Sequence, residues 1–349
     1  MVVMGLAGLL GGCSQGVVEE PVVAEAEAEA REAAIAFFAG MPEQTAVTRS
    51  TPLETFCTSF KVWSYKNTEK SGDDFTAYQT VINGYTVNWV ANTAYTTASN
   101  HFDWEYVNGT TQTIKYWDWS AEAYRFLAVA PASASGTFAL DGSGSNFLFT
   151  LYADASDDAA VAATPYFSEL WFSDNSTDDY GAPVTLQFVK ALSKVRIMFT
   201  FPDGARFGRG DLTEIGFAPS DGTKIQLQGN VGITYPLKGT GRQHTWTSTP
   251  DVSPTEELDA MERDWQETTD EYWYTVLPRT SQGNYTLSVR VMSDYRTATV
   301  PAEYMTWLPG YQYTYVFRVL TSGVVILDRM EMAVHDWEDS DYNHEFYNW

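Results

Sequence analysis

Histidine is scarce in this chain of 349 residues, which has only four: His101, His244, His335 and His344. None stands in an H-E-x-x-H or comparable ligand spacing, so a histidine-built zinc centre lacks its ligand set and no metal is expected. Cysteine is scarcer still, at two. If Cys13 is modified, Cys57 has no partner, and an exported chain then gains nothing from disulfides and must rely on its core. Basic residues number 21 against 45 acidic ones, for a formal charge of −24. That excess repels phosphate backbones and excludes nucleic acid as a partner. Beyond its opening residues the chain has no apolar run long enough to span a bilayer.

Catalytic signatures are missing in the same way. Gly142-Ser-Gly144-Ser-Asn lies in a Gly/Ser-rich stretch with no helix pattern after it, unlike the strand-to-helix elbow of a serine nucleophile. Gly204-Ala-Arg-Phe-Gly208-Arg-Gly210 lacks the Lys-Ser/Thr ending of a phosphate loop and reads as a turn. Among so many carboxylates no glycosidase pair stands out. Asp154–Asp158 and Asp174–Asp179 cluster hard oxygen ligands of the kind calcium takes, but not at EF-hand spacing, and the plain reading is charged loop tips. The chain is therefore read as no enzyme and as needing no cofactor.

Aromatic residues are abundant: 12 Trp, 21 Tyr and 19 Phe make up 15% of the chain. Such side chains favour pleated, half-buried surfaces, and from Ser50 onward short alternating runs are punctuated by turn signals. This predicts an all-β fold. Phe56, Thr58, Phe60 and Val62 define one strand face, and Tyr124–Ala130 reads as a buried strand ended by Pro131. Val184–Phe201 reads as two strands or one bent strand. Tyr272–Leu277, Tyr285–Val291, Tyr311–Leu320 and Val324–Leu327 supply later strands. Asn83-Gly84 and Asn108-Gly109 are hairpin-turn signals. Ser253-Pro254-Thr-Glu-Glu, with a capping serine, proline in the first turn and glutamates beside the positive dipole end, predicts a helix to about Asp264. Trp and Tyr faces stack on sugars, and Trp117 and Trp119, two apart, would share a strand face; core packing is the other reading.

The first residues set the address. Met1-Val-Val-Met-Gly-Leu-Ala-Gly-Leu-Leu-Gly-Gly-Cys13 is a short apolar run ending in small residues before a cysteine, which reads as a lipoprotein signal (1–12) with lipid on Cys13, although no Lys or Arg precedes it. Residues 13–49 follow as a leader or tether, rich in Ala and Glu from Ala24 to Ala36. Only Ile35–Phe38 within it is strand-like. A boundary at Tyr180-Gly-Ala-Pro183 divides the remainder into 50–179 and 180–349.

Several segments in that order resemble the fimbrillin family of Bacteroidetes. They are Tyr116-Trp117 with Tyr124-Arg-Phe-Leu-Ala-Val-Ala-Pro131; Thr185-Leu-Gln-Phe188-Val-Lys-Ala-Leu192-Ser-Lys194-Val195-Arg-Ile197; Tyr274-Thr-Val-Leu-Pro278; Trp307-Leu-Pro-Gly310-Tyr-Gln-Tyr-Thr-Tyr315; and Val334-His-Asp-Trp337 to Tyr347-Asn-Trp349. The resemblance implies two tandem β-sandwich-like, transthyretin-like domains. It also implies a lipoprotein precursor at the outer-membrane surface, from which an arginine-specific cut removes a leader so that another fimbrial subunit adds a strand, and a role in adhesion to host or bacterial surfaces. Arg49 occupies the place of such a cut, or is a plain tether residue. Two features depart from that pattern. The leader makes a poor groove filler, and Glu338–His344 is too acidic for a buried donor strand, which keeps an anchor or tip subunit open beside a stalk role. A carbohydrate-binding surface lipoprotein is the alternative.

Overall fold

The computed structural model describes residues 33–40, 52–91, 97–100, 102–251, 257–258, 260–263, 271–280 and 283–334. In chain order the first strands are β1 (Phe37–Gly40), β2 (Ser59–Ser71), β3 (Asp74–Trp89), β4 (Trp104–Glu105), β5 (Ala123–Ala130), β6 (Gly136–Leu140), β7 (Asn146–Asp154), β8 (Tyr166–Ser168), β9 (Trp171–Asp174), β10 (Val184–Lys190) and β11 (Ser193–Thr200). The others are β12 (Leu212–Pro219), β13 (Ile225–Gln226), β14 (Gln228–Pro236), β15 (Thr245–Pro250), β16 (Glu257–Leu258), β17 (Met261–Arg263), β18 (Glu271–Val276), β19 (Tyr285–Val291), β20 (Asp294–Val300), β21 (Tyr311–Val319) and β22 (Val325–Val334). The protein is all-β, as its aromatic, alternating sequence predicts. The one α-helix among the described residues, α1 (Asp158–Ala163), has Asp157 as its cap, with the carboxylate accepting from the Ala160 N–H.

An eight-stranded sheet ordered β1-β10-β8-β5-β2-β3-β4, with β9 also on β5, forms the centre. Every residue of β5 is buried, as a strand covered on both faces requires. Tyr124, Phe126, Ala128 and Ala130 point into a smaller core closed by Trp104 of β4 and by Tyr106 and Trp117 from the chain between β4 and β5. Leu127 and Val129 point the other way, into a larger core shared with the sheet β15-β14-β7-β6. There Trp63 meets Phe147 and Phe149 at ring-centroid distances of 5.6 and 5.2 Å.

Pairing crosses the expected boundary near residue 180. β10 lies in the central sheet, whereas β14 pairs antiparallel with β7. After β10 the chain enters a second pair of sheets, β18-β11-β21-β22 and β17-β12-β19-β20, packed through contacts such as Phe217 with Tyr315. Val184–Phe201 is thus two strands serving two sheets. Gly310 holds the junction between them: a Cβ there would stand 2.6 Å from Cβ of Val189, and its φ of +82° is one that glycine tolerates.

Three local expectations are corrected. Asn83-Gly84 is not a hairpin turn: Gly84 is the extra residue of a β-bulge inside β3, at φ +66° beneath the Trp63 ring, and the β2–β3 turn uses Gly72 instead. The expected helix of 254–264 contains β16 and β17, which pair with β13 and β12. Tertiary pairing there overrides a good helix start. Asn108-Gly109 does make a tight turn, with Asn108 bridged to Gln112.

The third correction concerns the leader. Ile35, Phe37 and Ala39 are 0% exposed, and β1 lies parallel to β10 with Phe37 opposite Val184. Few as its strand-like residues are, they occupy the smaller core.

Candidate functional site

The site is the slot that holds this leader strand. Its floor is built by alternation: Phe60 on β2, Phe126 on β5 and Phe188 on β10 all turn to the same face because side chains in strands repeat every second residue. Phe37 enters among them, with edge-on ring contacts to Phe60, Tyr106 and Phe126 at centroid distances of 5.9, 5.7 and 5.9 Å. Each such contact adds about 0.5–1.5 kcal/mol beyond area burial. Ile35 and Ala39 fill the positions on either side, while Phe38 faces outward, half-buried against exposed Phe102.

Backbone groups in the slot are matched as carefully as side chains. Val184 N–H donates to Ala36 O at 2.8 Å, Ile35 N–H to Lys115 O at 2.8 Å, and Trp117 N–H to Ala33 O at 3.1 Å. Gly40 pairs with Gln187 on one edge and with Pro52 on the other. The Tyr106 hydroxyl donates to Ile35 O at 3.0 Å and accepts from Lys115 N–H at 3.0 Å. Burial pushes its pKa up to about 12, so it stays a neutral donor. A buried carbonyl left without a donor costs about 1–3 kcal/mol, so an empty slot is unfavourable until another strand or water satisfies it.

The residues singled out in the sequence fall in different places. Cys13 and Arg49 lie outside the described residues, as do His101, His335 and His344. Arg49 follows β1 in sequence, between Gly40 and the bridge residue Pro52. Trp117 and Trp119 do not share a face. Asp118 accepts from Ser120 N–H and turns the chain, leaving Trp117 3% exposed in the smaller core and Trp119 40% exposed at the surface. Trp117 therefore has no face to offer a sugar. Cys57 is a buried free thiol that donates to Ser59 O at 3.0 Å, and burial raises its pKa. In the acidic loops Asp154, Asp157 and Asp174 accept from nearby backbone N–H groups, and Asp179 accepts from Ser173 Oγ. These are turn and cap interactions.

Ile35, Phe37 and Ala39, packed with Tyr106 and Phe126, form a candidate site that no sequence motif marks as one. Their one signal was an apolar island, Ile35-Ala-Phe-Phe38, within an Ala/Glu-rich leader and ahead of Arg49.

A family model described as fimbrillin-like matches residues 45–337, beginning just after β1. No curated protein matches the chain. Among solved structures, a candidate cell adhesion protein from Bacteroides ovatus is 14% identical with a TM-score of 0.43, covering 88% of this chain and 99% of its own. A second, from Bacteroides uniformis, is 17% identical with a TM-score of 0.42 and the same 88% and 99% coverage. The fimbrial anchor protein Mfa2 from Porphyromonas gingivalis is 10% identical with a TM-score of 0.31, over 87% of this chain and 99% of its own.

Proposed function

This chain belongs to the fimbrillin-like family, and on that premise we propose that it is a structural or accessory subunit of a surface fimbrium, assembled by strand exchange and catalysing no reaction. The precursor is exported as a lipoprotein held at the outer membrane through Cys13. A cut after Arg49 severs the leader from the body, β1 leaves its slot, and an extended strand of another fimbrial subunit takes its place against β10. One observation carries this reading: the segment lying before Arg49 is a core strand, with Phe37 fully buried among Phe60, Tyr106 and Phe126. Losing such a strand uncovers an apolar groove beside an open sheet edge, the arrangement that β-augmentation exploits. The assembled subunit meets host or bacterial surfaces through its exposed loops. An uncut chain keeps its lipid and stays an anchored subunit.

The test is Arg49→Ala in cells that otherwise make fimbriae. The variant is expected to retain residues 13–49 by mass spectrometry and to be missing from sheared filaments seen by electron microscopy. Incorporation of Arg49→Ala at the level of the parent chain, leader still attached, would sink the exchange mechanism.

A further inference from the structure

The sheet β15-β14-β7-β6 differs from the rest of the molecule in charge. β6, β14 and β15 contain no Asp, Glu, Lys or Arg, and β7 has one only at its last residue, Asp154. In a chain of net charge −24 this is conspicuous. Among the strands that edge the other sheets of four or more strands, β4, β17, β18, β20 and β22 each carry at least one charged residue, and the uncharged β1 is bridged to Pro52 on its outer side. Exposed edges recruit other strands through their free N–H and C=O groups, and charges, prolines or bulges normally prevent it. β15 has none of these before its final Pro250. It runs six residues against β14 without a register shift, and no described residue pairs with its outer edge.

The sequence of this edge also fits itself. β15 reads Thr-Trp-Thr-Ser-Thr-Pro, with Thr245, Thr247 and Thr249 exposed. A two-fold axis through Thr247 sets Thr247 opposite its own copy, Thr245 opposite Thr249, and Trp246 opposite Ser248. Thr–Thr pairs directly across antiparallel strands are favourable, and a two-fold contact needs the same patch on both partners. The opposite edge, β6, lacks this symmetry, because an axis through Phe138 sets Gly136 against Leu140.

We propose that β15 pairs antiparallel with β15 of a second copy of this chain, joining two four-stranded sheets into one continuous sheet. The contact uses neither β1 nor its slot, so it is separate from strand exchange. Because the edge is neutral while the whole chain is strongly acidic, association tightens with salt. The test is sedimentation equilibrium of the full chain between about 0.01 M and about 1 M salt, over which the screening length contracts from about 30 to about 3 Å. A concentration-dependent dimer that strengthens with salt is expected. Thr247→Lys, which brings two like charges together at the axis, weakens it by about fivefold or more. Thr249→Lys, off the axis, weakens it as well, and Thr137→Lys on β6 leaves it unchanged. A monomer at every salt concentration, unchanged dimerisation in both β15 variants while they remain folded by circular dichroism, or loss of the dimer in Thr137→Lys would each overturn the proposal.

Discussion

Phe37→Ala isolates how firmly the leader strand is held. Truncating a fully buried phenylalanine removes its transfer free energy and leaves a cavity, at a typical cost of about 3–5 kcal/mol. Phe37 has the surroundings for that full cost, being 0% exposed with three aromatic neighbours in edge contact. Phe38 does not. It is half-buried against exposed Phe102, so Phe38→Ala should cost about 1 kcal/mol. The readout is hydrogen exchange at Val184 and Trp117, whose amides donate to Ala36 and Ala33 of the leader. Each factor of ten in protection is about 1.4 kcal/mol, so Phe37→Ala should speed local exchange there by roughly a hundredfold to a few thousandfold, and Phe38→Ala by roughly fivefold. Amides within β5 should change less. Equal effects of the two substitutions would refute the pocket argument. A uniform loss of protection through β5 would show that the leader does not open as a separate unit.

Two further outcomes follow from other parts of the fold. His244 packs against Phe167 and Tyr235, and desolvation lowers its pKa from 6.5 to about 4. The folded value lies below the unfolded one, so this contribution is full above pH 6.5 and is lost as pH falls toward 4, by about 3 kcal/mol at most. Urea midpoints followed down through that window should fall less in His244→Phe than in the parent, and parallel falls would acquit the histidine. Gly310→Ala forces a methyl to within 2.6 Å of Cβ of Val189 at a φ of +82°, and strain and overpacking together should cost about 2–4 kcal/mol in urea unfolding. A loss below about 1 kcal/mol would mean that the β10–β21 junction yields more readily than its geometry implies.

Local chemistry made some elements legible and hid others. β5 could be read directly because Tyr124–Ala130 is an unbroken buried run ended by Pro131. β10 and β11 were likewise evident, but not that they would part into different sheets, since that depends on partners as distant as Gln312 on β21. Asn83-Gly84 misled because positive φ serves a bulge as well as a turn, and the Trp63 ring that selects the bulge lies in another strand. The helix predicted after Ser253 met the same limit, its propensity outweighed by pairing of β17 with β12. Most of the site was hidden for this reason. Ile35–Phe38 is too short to declare itself, and Val184, which gives it a ladder, is far away in sequence. Trp117 and Trp119 fall on different faces because Asp118 turns the chain between them.

The direction of β1 bears on mechanical load. Lying parallel to β10 and bridged to Pro52 on its other edge, the strand cannot be unzipped one hydrogen bond at a time by a pull along its own axis. Such a pull shears its ladder at once, together with the aromatic lock around Phe37. A joint of this geometry gives way under sideways peeling long before it gives way under lengthwise tension.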